Sequence, residues 1–193
     1  MKLILLGLGN PGEKYSNNRH NIGHLFVDYY SSLYRSKFEK NSGFLVSQFH
    51  HSEINIILLK STAYMNHNGV GLAQFLRNKL HPEDRFLVAH DEIHLPHGKV
   101  KLSLGKSAGG HNGVASVINE LGFSPLRLRI GINNAENLTE RITDFVLGNF
   151  SLAEKDSNKL LFPKLVHALQ LLCDRGLSIA TNYINRYPIP TPS

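Results

Sequence analysis

The stretch that decides the fold is residues 2–23, KLILLGLGNPGEKYSNNRHNIG. It opens with the apolar run Leu3–Leu6, which is typical of a buried strand. It closes where a helical apolar pattern begins at Ile22, with Asn21 in the N-cap position. Between them, the spacing Gly-x-Gly-x-x-Gly from Gly7 matches a dinucleotide-binding loop. The stretch predicts a strand, a polar loop and a helix, and it raises the question of whether the loop holds a cofactor.

The residues after the third glycine weaken the cofactor interpretation. A dinucleotide loop runs directly into a helix whose N-terminus binds the pyrophosphate. Here the polar, aperiodic segment EKYSNNRHN follows Gly12, and Pro11 removes a backbone N–H that an anion site would use. We therefore expect no cofactor. A nucleotide-dependent oxidoreductase stays as an alternative that a thermal shift with NAD would test.

Strand and helix patterns alternate along the rest of the chain. The strand patterns lie at 43–50, 54–60, 85–91, 98–104 and 126–132, and the helical patterns at 21–35, 69–80, 113–122 and 152–176. This order predicts an α/β fold with a parallel or mixed sheet and helices on both faces. We expect one domain over residues 1–186 and a flexible, proline-rich tail over 187–193. Pro163 predicts a kink or a break in the last helix.

Composition limits the classes of partner. The chain has 193 residues and a net charge of +6, which fits either a polyanion such as nucleic acid or general solubility. Its single cysteine, Cys173, cannot form an internal disulfide and favours a reducing compartment. The N-terminal apolar run is too short for a signal peptide, and no other run approaches the length of a membrane span. We therefore expect a cytoplasmic protein with no membrane partner.

Polar residues concentrate in four segments that follow predicted strands, namely 9–21, 61–69, 90–98 and 105–113. The carboxyl ends of parallel strands meet at one edge of a sheet, where α/β proteins bind their ligands. Taken singly, a histidine in a loop is most often a surface residue, and asparagine near glycine is most often a turn residue. The clustering of all four segments predicts a functional cleft.

The residue types in these segments narrow the chemistry. A metal site built from His90, Asp91, His94 and His97 is disfavoured, because a strand end followed by a proline loop spreads its side chains apart. A nucleophile elbow at Ser107 is disfavoured because glycines, and no helix, follow the serine. There remains a histidine as general base, a carboxylate that fixes its tautomer, and asparagines that can hold an amide or an oxyanion. This set suits hydrolysis of an activated acyl bond, such as an ester, by water.

Six segments together closely resemble the bacterial peptidyl-tRNA hydrolases. They occur in the order found in that family and extend over about positions 1 to 185. The segments are GLGNPGEKYSNNRHNIG, KSTAYMNHNG, VAHDEIHLPHGKVKL, KSAGGHNG, LRLRIGI and DFVLGNF. The resemblance implies a single α/β domain with a mixed, twisted sheet, usually a monomer, and no cofactor. It also implies cleavage of the ester between a peptide and the terminal ribose of tRNA, which frees the tRNA for reuse.

The resemblance also implies roles for individual residues. His20 is similar to the general base of the family, Asp91 to its supporting carboxylate, and Asn10 to a residue that orients substrate and selects blocked aminoacyl ends. The expected substrate contacts are asparagines on the peptide and ribose sides, aromatic walls of the cleft and one further histidine. These residues are Asn66, Asn112, Tyr15, Tyr64 and His111.

Basic residues near the cleft are expected to contact the acceptor stem of the tRNA. Lys101 is the main candidate and shares a strand face with Lys99, and Lys106, Arg127 and Arg129 are further candidates. Phosphate contacts of this kind give affinity that depends on salt and carries little sequence information. Alternatively, the two arginines lie on the solvent face of their strand.

The chain departs from the usual family pattern at several positions. Asn68 stands where serine is frequent, His94 where aspartate is common, and Ser103 where some members have a basic residue. None of these changes affects His20 or Asp91. A non-catalytic RNA-binding relative on the same fold is the alternative function, and retention of both residues argues against it.

Overall fold

The structure, a computed structural model, describes residues 1–77, 79–105, 107–134 and 141–186. Its strands are β1 (Lys2–Gly7), β2 (Glu39–Asn41), β3 (Phe44–His51), β4 (Ile54–Ser61), β5 (Arg85–Pro96), β6 (Val100–Leu104) and β7 (Leu126–Asn133). Its α-helices are α1 (Ile22–Leu33), α2 (Leu72–Leu76), α3 (Asn112–Leu121), α4 (Ile142–Leu147), α5 (Leu152–Arg175) and α6 (Leu177–Arg186). Short 3-10 turns cover Glu13–Tyr15, Arg19–Asn21 and Met65–His67.

The strands form one mixed sheet in the order β2-β3-β4-β1-β5-β7-β6. Strands β4, β1, β5 and β7 run parallel, whereas β2, β3 and β6 pair in antiparallel fashion with their neighbours. Side chains alternate across β1, so Leu3 and Leu5 pack in the core with α1 and α5, and Ile4 and Leu6 pack with α2 and α3. The predicted α/β class, with a mixed sheet covered on both faces, is confirmed.

The glycines at the end of β1 and in the loop after it allow close packing of α1. A Cβ on Gly7 would lie 2.3 Å from the carbonyl oxygen of Gly23, and one on Gly9 would lie 2.5 Å from the imidazole of His24. Both contacts come from the first turn of α1, so the absence of side chains lets this helix lie directly against the end of the strand. Gly12 has a φ of 100°, which glycine adopts readily, and no helix suited to a pyrophosphate begins there.

Several predicted boundaries were wrong. The helix expected over 69–80 is an α-helix only at Leu72–Leu76, because Gly71 in the left-handed region separates it from the preceding turn. The strand expected over 85–91 continues to Pro96, since β7 pairs with it along most of its length. The break predicted at Pro163 is absent, because the buried apolar face of α5 holds the helix on the sheet on both sides of that residue. The predicted tail, residues 187–193, lies outside the described residues, and the one-domain division stays a prediction.

The fourth polar segment reaches the others by a different route from the one predicted. Strand β6 runs antiparallel to β7, and Leu104 at its end pairs with Leu126 at the beginning of β7. Asp91 pairs with Ile130, four residues further along β7. The segment after β6 must therefore run back along the sheet to the carboxyl edge of the parallel strands, where α3 begins with its N-cap residue, His111.

Candidate active site

A histidine and a carboxylate meet at this edge. His20 lies in the 3-10 turn before α1, and its Nδ1 is 2.9 Å from both carboxylate oxygens of Asp91 on β5. Asp91 is buried, and an ionised carboxylate only accepts hydrogen bonds, so Nδ1 of His20 carries the proton. In the neutral ring, Nε2 then has a free lone pair and can act as a base.

A second histidine contacts the same carboxylate. His111 is the N-cap of α3, and its Nδ1 accepts the backbone N–H groups of Gly113 and Val114 at 3.1 and 3.2 Å. Its Nε2 must therefore be protonated, and it donates to Oδ1 of Asp91 at 2.8 Å. Both ring nitrogens of His111 are occupied within the protein, so any contact with substrate would involve the ring and not a hydrogen bond.

The carboxylate of Asp91 is held in its charged form. Burial opposes ionisation, but the electrostatic attraction and hydrogen bonds of the His111 and His20 N–H groups outweigh it and hold the pKa of Asp91 well below its usual range. Behind it, His90 donates from Nδ1 to the backbone oxygen of Asp91 at 2.6 Å and contacts the ring of His111 at 4.8 Å. Burial and the neighbouring His111 lower the pKa of His90 to about 3, so this ring is neutral.

The same three side chains are the group of potential metal ligands found among the described residues. One ligand atom from each of His20, Asp91 and His111 lies within 4.8 Å of the others. A metal needs an unprotonated nitrogen, however, and Nε2 of His111 is protonated because Nδ1 caps α3. Coordination there would cost the helix its cap, so the donor set fits a metal poorly. His90, His94 and His97 do not belong to the group.

Asn10 lies in the loop after β1 and is held by hydrogen bonds to Met65 and Asn21. Its Oδ1 accepts the backbone N–H of Met65 at 2.8 Å, and its own backbone exchanges two hydrogen bonds with the side chain of Asn21. Asn21 therefore braces Asn10 and does not cap α1 through its side chain, contrary to the prediction. Within the described part of the chain nothing accepts a hydrogen bond from Nδ2 of Asn10, so the residue offers a donor.

Asn68, a departure from the family pattern, has a structural explanation. It is fully buried, and its Oδ1 accepts the backbone N–H of Gly9 at 3.0 Å while its Nδ2 donates to the oxygen of Ala63 at 2.9 Å. One amide thus joins the loop after β1 to the loop after β4. A serine has one hydroxyl group and cannot span both partners in this arrangement.

The other predicted contacts are partly or fully exposed, and among Tyr15, Tyr64, Asn66 and Asn112 it is Asn112 that lines a cavity together with His20 and Asp91. The rings of Tyr15 and Tyr64 meet edge to face with centroids 6.2 Å apart, and Tyr64 is 55% exposed. Asn66 and Asn112 are also exposed. A cavity of about 160 Å³ opens beside the catalytic candidates, and its walls include His20, Asp91, Asn112, Ile93, Ile142 and Val146.

The basic candidates differ in their exposure. Lys101 is exposed on β6 and lies opposite Arg129, whose guanidinium pairs with Glu92 at 2.7 Å. Arg127 is 5% exposed, and Gly105 packs so closely against it that a Cβ on Gly105 would collide with the guanidinium. The alternative that both arginines lie on a solvent face is therefore wrong for Arg127. Lys106 lies outside the described residues.

Sequence reasoning missed an ion pair beside the pair of catalytic candidates. Arg19 precedes His20 and contacts Glu154 near the N-terminus of α5 at 3.0 Å. The pattern Ser-x-x-Glu from Ser151 was visible in the sequence as a capping box, which the structure contains, and it marked Glu154 as a residue with a local partner. No pattern in the sequence indicated that Arg19 is the distant partner of Glu154.

Comparison with known proteins gives a consistent result. The model of the peptidyl-tRNA hydrolase family matches residues 4–191. The peptidyl-tRNA hydrolase of Dehalococcoides mccartyi strain CBDB1 is 39% identical over 96% of this chain and 100% of that protein, and that of Fervidobacterium nodosum is 35% identical over 98% and 99%. The crystal structure of peptidyl-tRNA hydrolase from Acinetobacter baumannii matches with a TM-score of 0.86 and 30% identity over 96% of this chain and 95% of that one. The predicted resemblance is confirmed.

Proposed function

Because the chain belongs to the peptidyl-tRNA hydrolase family, we propose that it hydrolyses the ester bond of peptidyl-tRNA and releases the peptide and a free tRNA for reuse in translation. The observation that carries the proposal is the buried Asp91 carboxylate with two histidine N–H donors. This arrangement leaves Nε2 of His20 as the basic atom of the pair.

His20 activates water as a general base. Nε2 takes one proton from the water while the oxygen attacks the ester carbonyl carbon, and the carbonyl oxygen becomes an oxyanion. Asp91 stabilises the imidazolium that forms, through the hydrogen bond from Nδ1 of His20 to its Oδ1, which are 2.9 Å apart. When the tetrahedral intermediate collapses, the bond to the ribose oxygen breaks and His20 returns the proton to that oxygen. The products are a peptide carboxylic acid and the tRNA hydroxyl, and the base is regenerated.

Asn10 contributes a donor that favours a blocked amino group. With Oδ1 bound to Met65, the N–H bonds of Nδ2 are available for a carbonyl oxygen. A peptidyl or N-acyl group supplies such an acceptor near the ester. A free aminoacyl ester carries an ammonium group there, which only donates, so the two donors would face each other. This difference supports a preference of the enzyme for peptidyl-tRNA over aminoacyl-tRNA.

The surrounding residues complete the proposed contacts with substrate. Asn66 and Asn112 bind the peptide and ribose sides, Tyr15 and Tyr64 form the aromatic wall, and the ring of His111 borders the cleft. Lys101 binds phosphates of the acceptor stem, because its charge is exposed to solvent. A phosphate contact of this kind does not depend on the base sequence of the tRNA.

The enzyme is proposed to act as a cytoplasmic monomer without a metal or cofactor. The tautomer of His111, whose Nδ1 caps α3, supports the absence of a metal from the reaction. None of the helices in the described ranges is long and apolar enough to cross a membrane.

The test is hydrolysis of an N-blocked aminoacyl-tRNA by the wild type and by His20→Ala. We expect the variant to lose turnover by about 10³-fold or more, because it has no general base, and to bind tRNA with nearly unchanged affinity. Wild-type turnover in the variant would contradict the mechanism. A wild-type protein that binds tRNA and does not cleave the ester would instead be the non-catalytic RNA-binding relative. Equal cleavage of the blocked and the free aminoacyl esters would contradict the role of Asn10.

A further inference from the structure

The turn that carries His20 is anchored by the residue before it. Nε of Arg19 is 3.2 Å from Oε1 of Glu154, and Nη2 is 3.0 Å from Oε2, so the guanidinium meets the carboxylate at two points. The side chain of Arg19 is 12% exposed and that of Glu154 is 3% exposed. A two-point contact of this kind fixes the orientation of the arginine as well as its distance.

Arg19 is also held against α4. Its backbone N–H donates to the oxygen of Gly148 at 2.9 Å, and its guanidinium lies 4.5 Å from the ring centroid of Phe145. A Cβ at Gly148 would lie 2.8 Å from Nη1 of Arg19, so the guanidinium packs tightly against the backbone of Gly148. On the N-terminal side, Asn18 donates from Nδ2 to the backbone oxygen of Leu147. The turn is therefore fixed to the end of α4 by backbone and side-chain contacts together.

Glu154 is a fixed anchor. Its Oε2 accepts the backbone N–H of Ser151 at 2.7 Å within the capping box of α5, and its Oε1 accepts Nδ2 of Asn134 at 3.0 Å. Burial opposes its ionisation, but the N–H of Ser151 and the charge of Arg19 lower the pKa of Glu154. One charged group thus connects the N-terminus of α5, the end of β7 and the catalytic turn.

We propose that Arg19 is a positioning residue, whose ion pair with Glu154 sets the orientation of His20 toward Asp91. This inference rests on the proposed function of His20. The 3-10 turn has three residues, and among the described side chains the ring of His20 hydrogen-bonds only to Asp91. The direction of the ring therefore depends on where the backbone of the turn lies, and Arg19 joins that backbone to two other elements.

The energetics support a geometric role. A buried ion pair contributes little net stability compared with apolar residues of the same volume, because both charges lose their hydration. Placement, in contrast, matters greatly for catalysis, since an error of about 1 Å can lower a rate about 10²-fold. The Arg19–Glu154 pair therefore affects turnover more than folding.

The experiment compares Arg19→Lys and the double variant R19M/E154M with wild type. The lysine keeps the charge and loses the two-point contact, and the double variant removes both charges without leaving one buried alone. We expect kcat on N-blocked aminoacyl-tRNA to fall about tenfold to hundredfold in each variant that folds, with KM nearly unchanged. The ¹⁵N–¹H signal of the His20 ring, assigned with His20→Ala, should shift as the bond to Asp91 weakens.

The matched control is Asp156→Asn, which removes an exposed ion pair with Lys159 on the same helix as Glu154 and should leave kcat, KM and the His20 signal unchanged. Wild-type kcat and an unchanged His20 signal in the folded variants would overturn the proposal. A rise in KM alone would also overturn it, because Arg19 would then shape the cavity wall through α4. If the double variant fails to fold, Arg19→Lys decides. Failure of the proposed function is distinguishable, since the wild type would then not cleave the ester, or His20→Ala would cleave it at the wild-type rate.

Discussion

Asp91→Asn removes the charge of the carboxylate and keeps its shape, so it tests whether the charge is needed for turnover. The two oxygens of Asp91 have different surroundings, because His111 donates only to Oδ1, whereas His20 lies 2.9 Å from both. His111 cannot release its Nε2 proton without losing the cap of α3, so the remaining amide oxygen must occupy the Oδ1 position. The amide nitrogen then takes the Oδ2 position and presents an N–H to His20.

This arrangement places His20 in the unproductive tautomer. Nδ1 accepts from the new amide N–H, the ring proton moves to Nε2, and Nε2 can no longer take a proton from water. In a Ser-His-Asp triad the corresponding change lowers kcat about 10⁴-fold. His20 still has Oδ1 within reach, so a minor population keeps the productive tautomer, and we expect a loss of about 10²- to 10⁴-fold. At about 1.36 kcal/mol per tenfold, the loss corresponds to about 2.7–5.4 kcal/mol of transition-state stabilisation.

The assay is single-turnover hydrolysis of N-blocked aminoacyl-tRNA, with tRNA affinity measured in parallel. Binding should change little, since the substitution preserves the shape of a buried side chain. Asp28→Asn, which removes an exposed carboxylate paired with Lys60, serves as the control with normal turnover. The tautomer argument is refuted by a folded Asp91→Asn enzyme that turns over within about threefold of wild type, or by ¹⁵N spectra in which Nδ1 of His20 keeps its proton.

Three further outcomes are expected. Asn68→Ser should lower the free energy of unfolding by about 1–3 kcal/mol in urea denaturation, because the smaller residue leaves Gly9 or Ala63 without its buried partner; an unchanged midpoint would contradict this. The lowered pKa of Asp91 contributes stability that is complete above the ordinary carboxyl pKa of about 4 and is lost as the pH falls through the lower pKa of the native state. The free energies of unfolding of wild type and Asp91→Asn, measured against pH, should therefore converge in acid. Parallel curves would refute the lowered pKa of Asp91. Lys101→Ala should weaken tRNA binding and reduce the slope of log K against log salt by about 1 if one phosphate contact is lost, whereas an unchanged slope would remove Lys101 from the interface.

Most of the sheet was predictable from the sequence because six of its seven strands have a simple local signal, whereas β2 consists of three exposed polar residues and was missed. The apolar run Leu3–Leu6 and the alternation of LRLRIGI in β7 depend on neighbouring residues alone. The direction of β6 is set by the partner it pairs with, which periodicity does not encode, so the route of the segment to His111 was not predictable. For the same reason, alternation placed Arg127 and Arg129 on one face and could not show that Arg127 is covered.

The pairing of His20 with Asp91 was foreseen from motifs, but the support around it was not. The partners Arg19 and Glu154 are 135 residues apart, and Asn68 bonds to backbone groups that every residue type possesses. Neither arrangement produces a spacing rule. Contacts between distant side chains and ordinary backbone groups depend on the finished fold, and the sequence carries no separate mark for them.

The position of the ring proton of His20 follows from the backbone of α3. The free N–H groups at a helix N-terminus require an acceptor, and in α3 the acceptor is Nδ1 of His111. That hydrogen bond forces the proton of His111 onto Nε2, which must then find an acceptor in Asp91. The hydrogen bonds from His111 and His20 keep Asp91 ionised despite its burial, so Asp91 accepts Nδ1–H of His20 and leaves Nε2 of His20 without a proton. The N-terminus of α3, where this series of hydrogen bonds begins, thus determines which ring nitrogen of His20 is left without a proton.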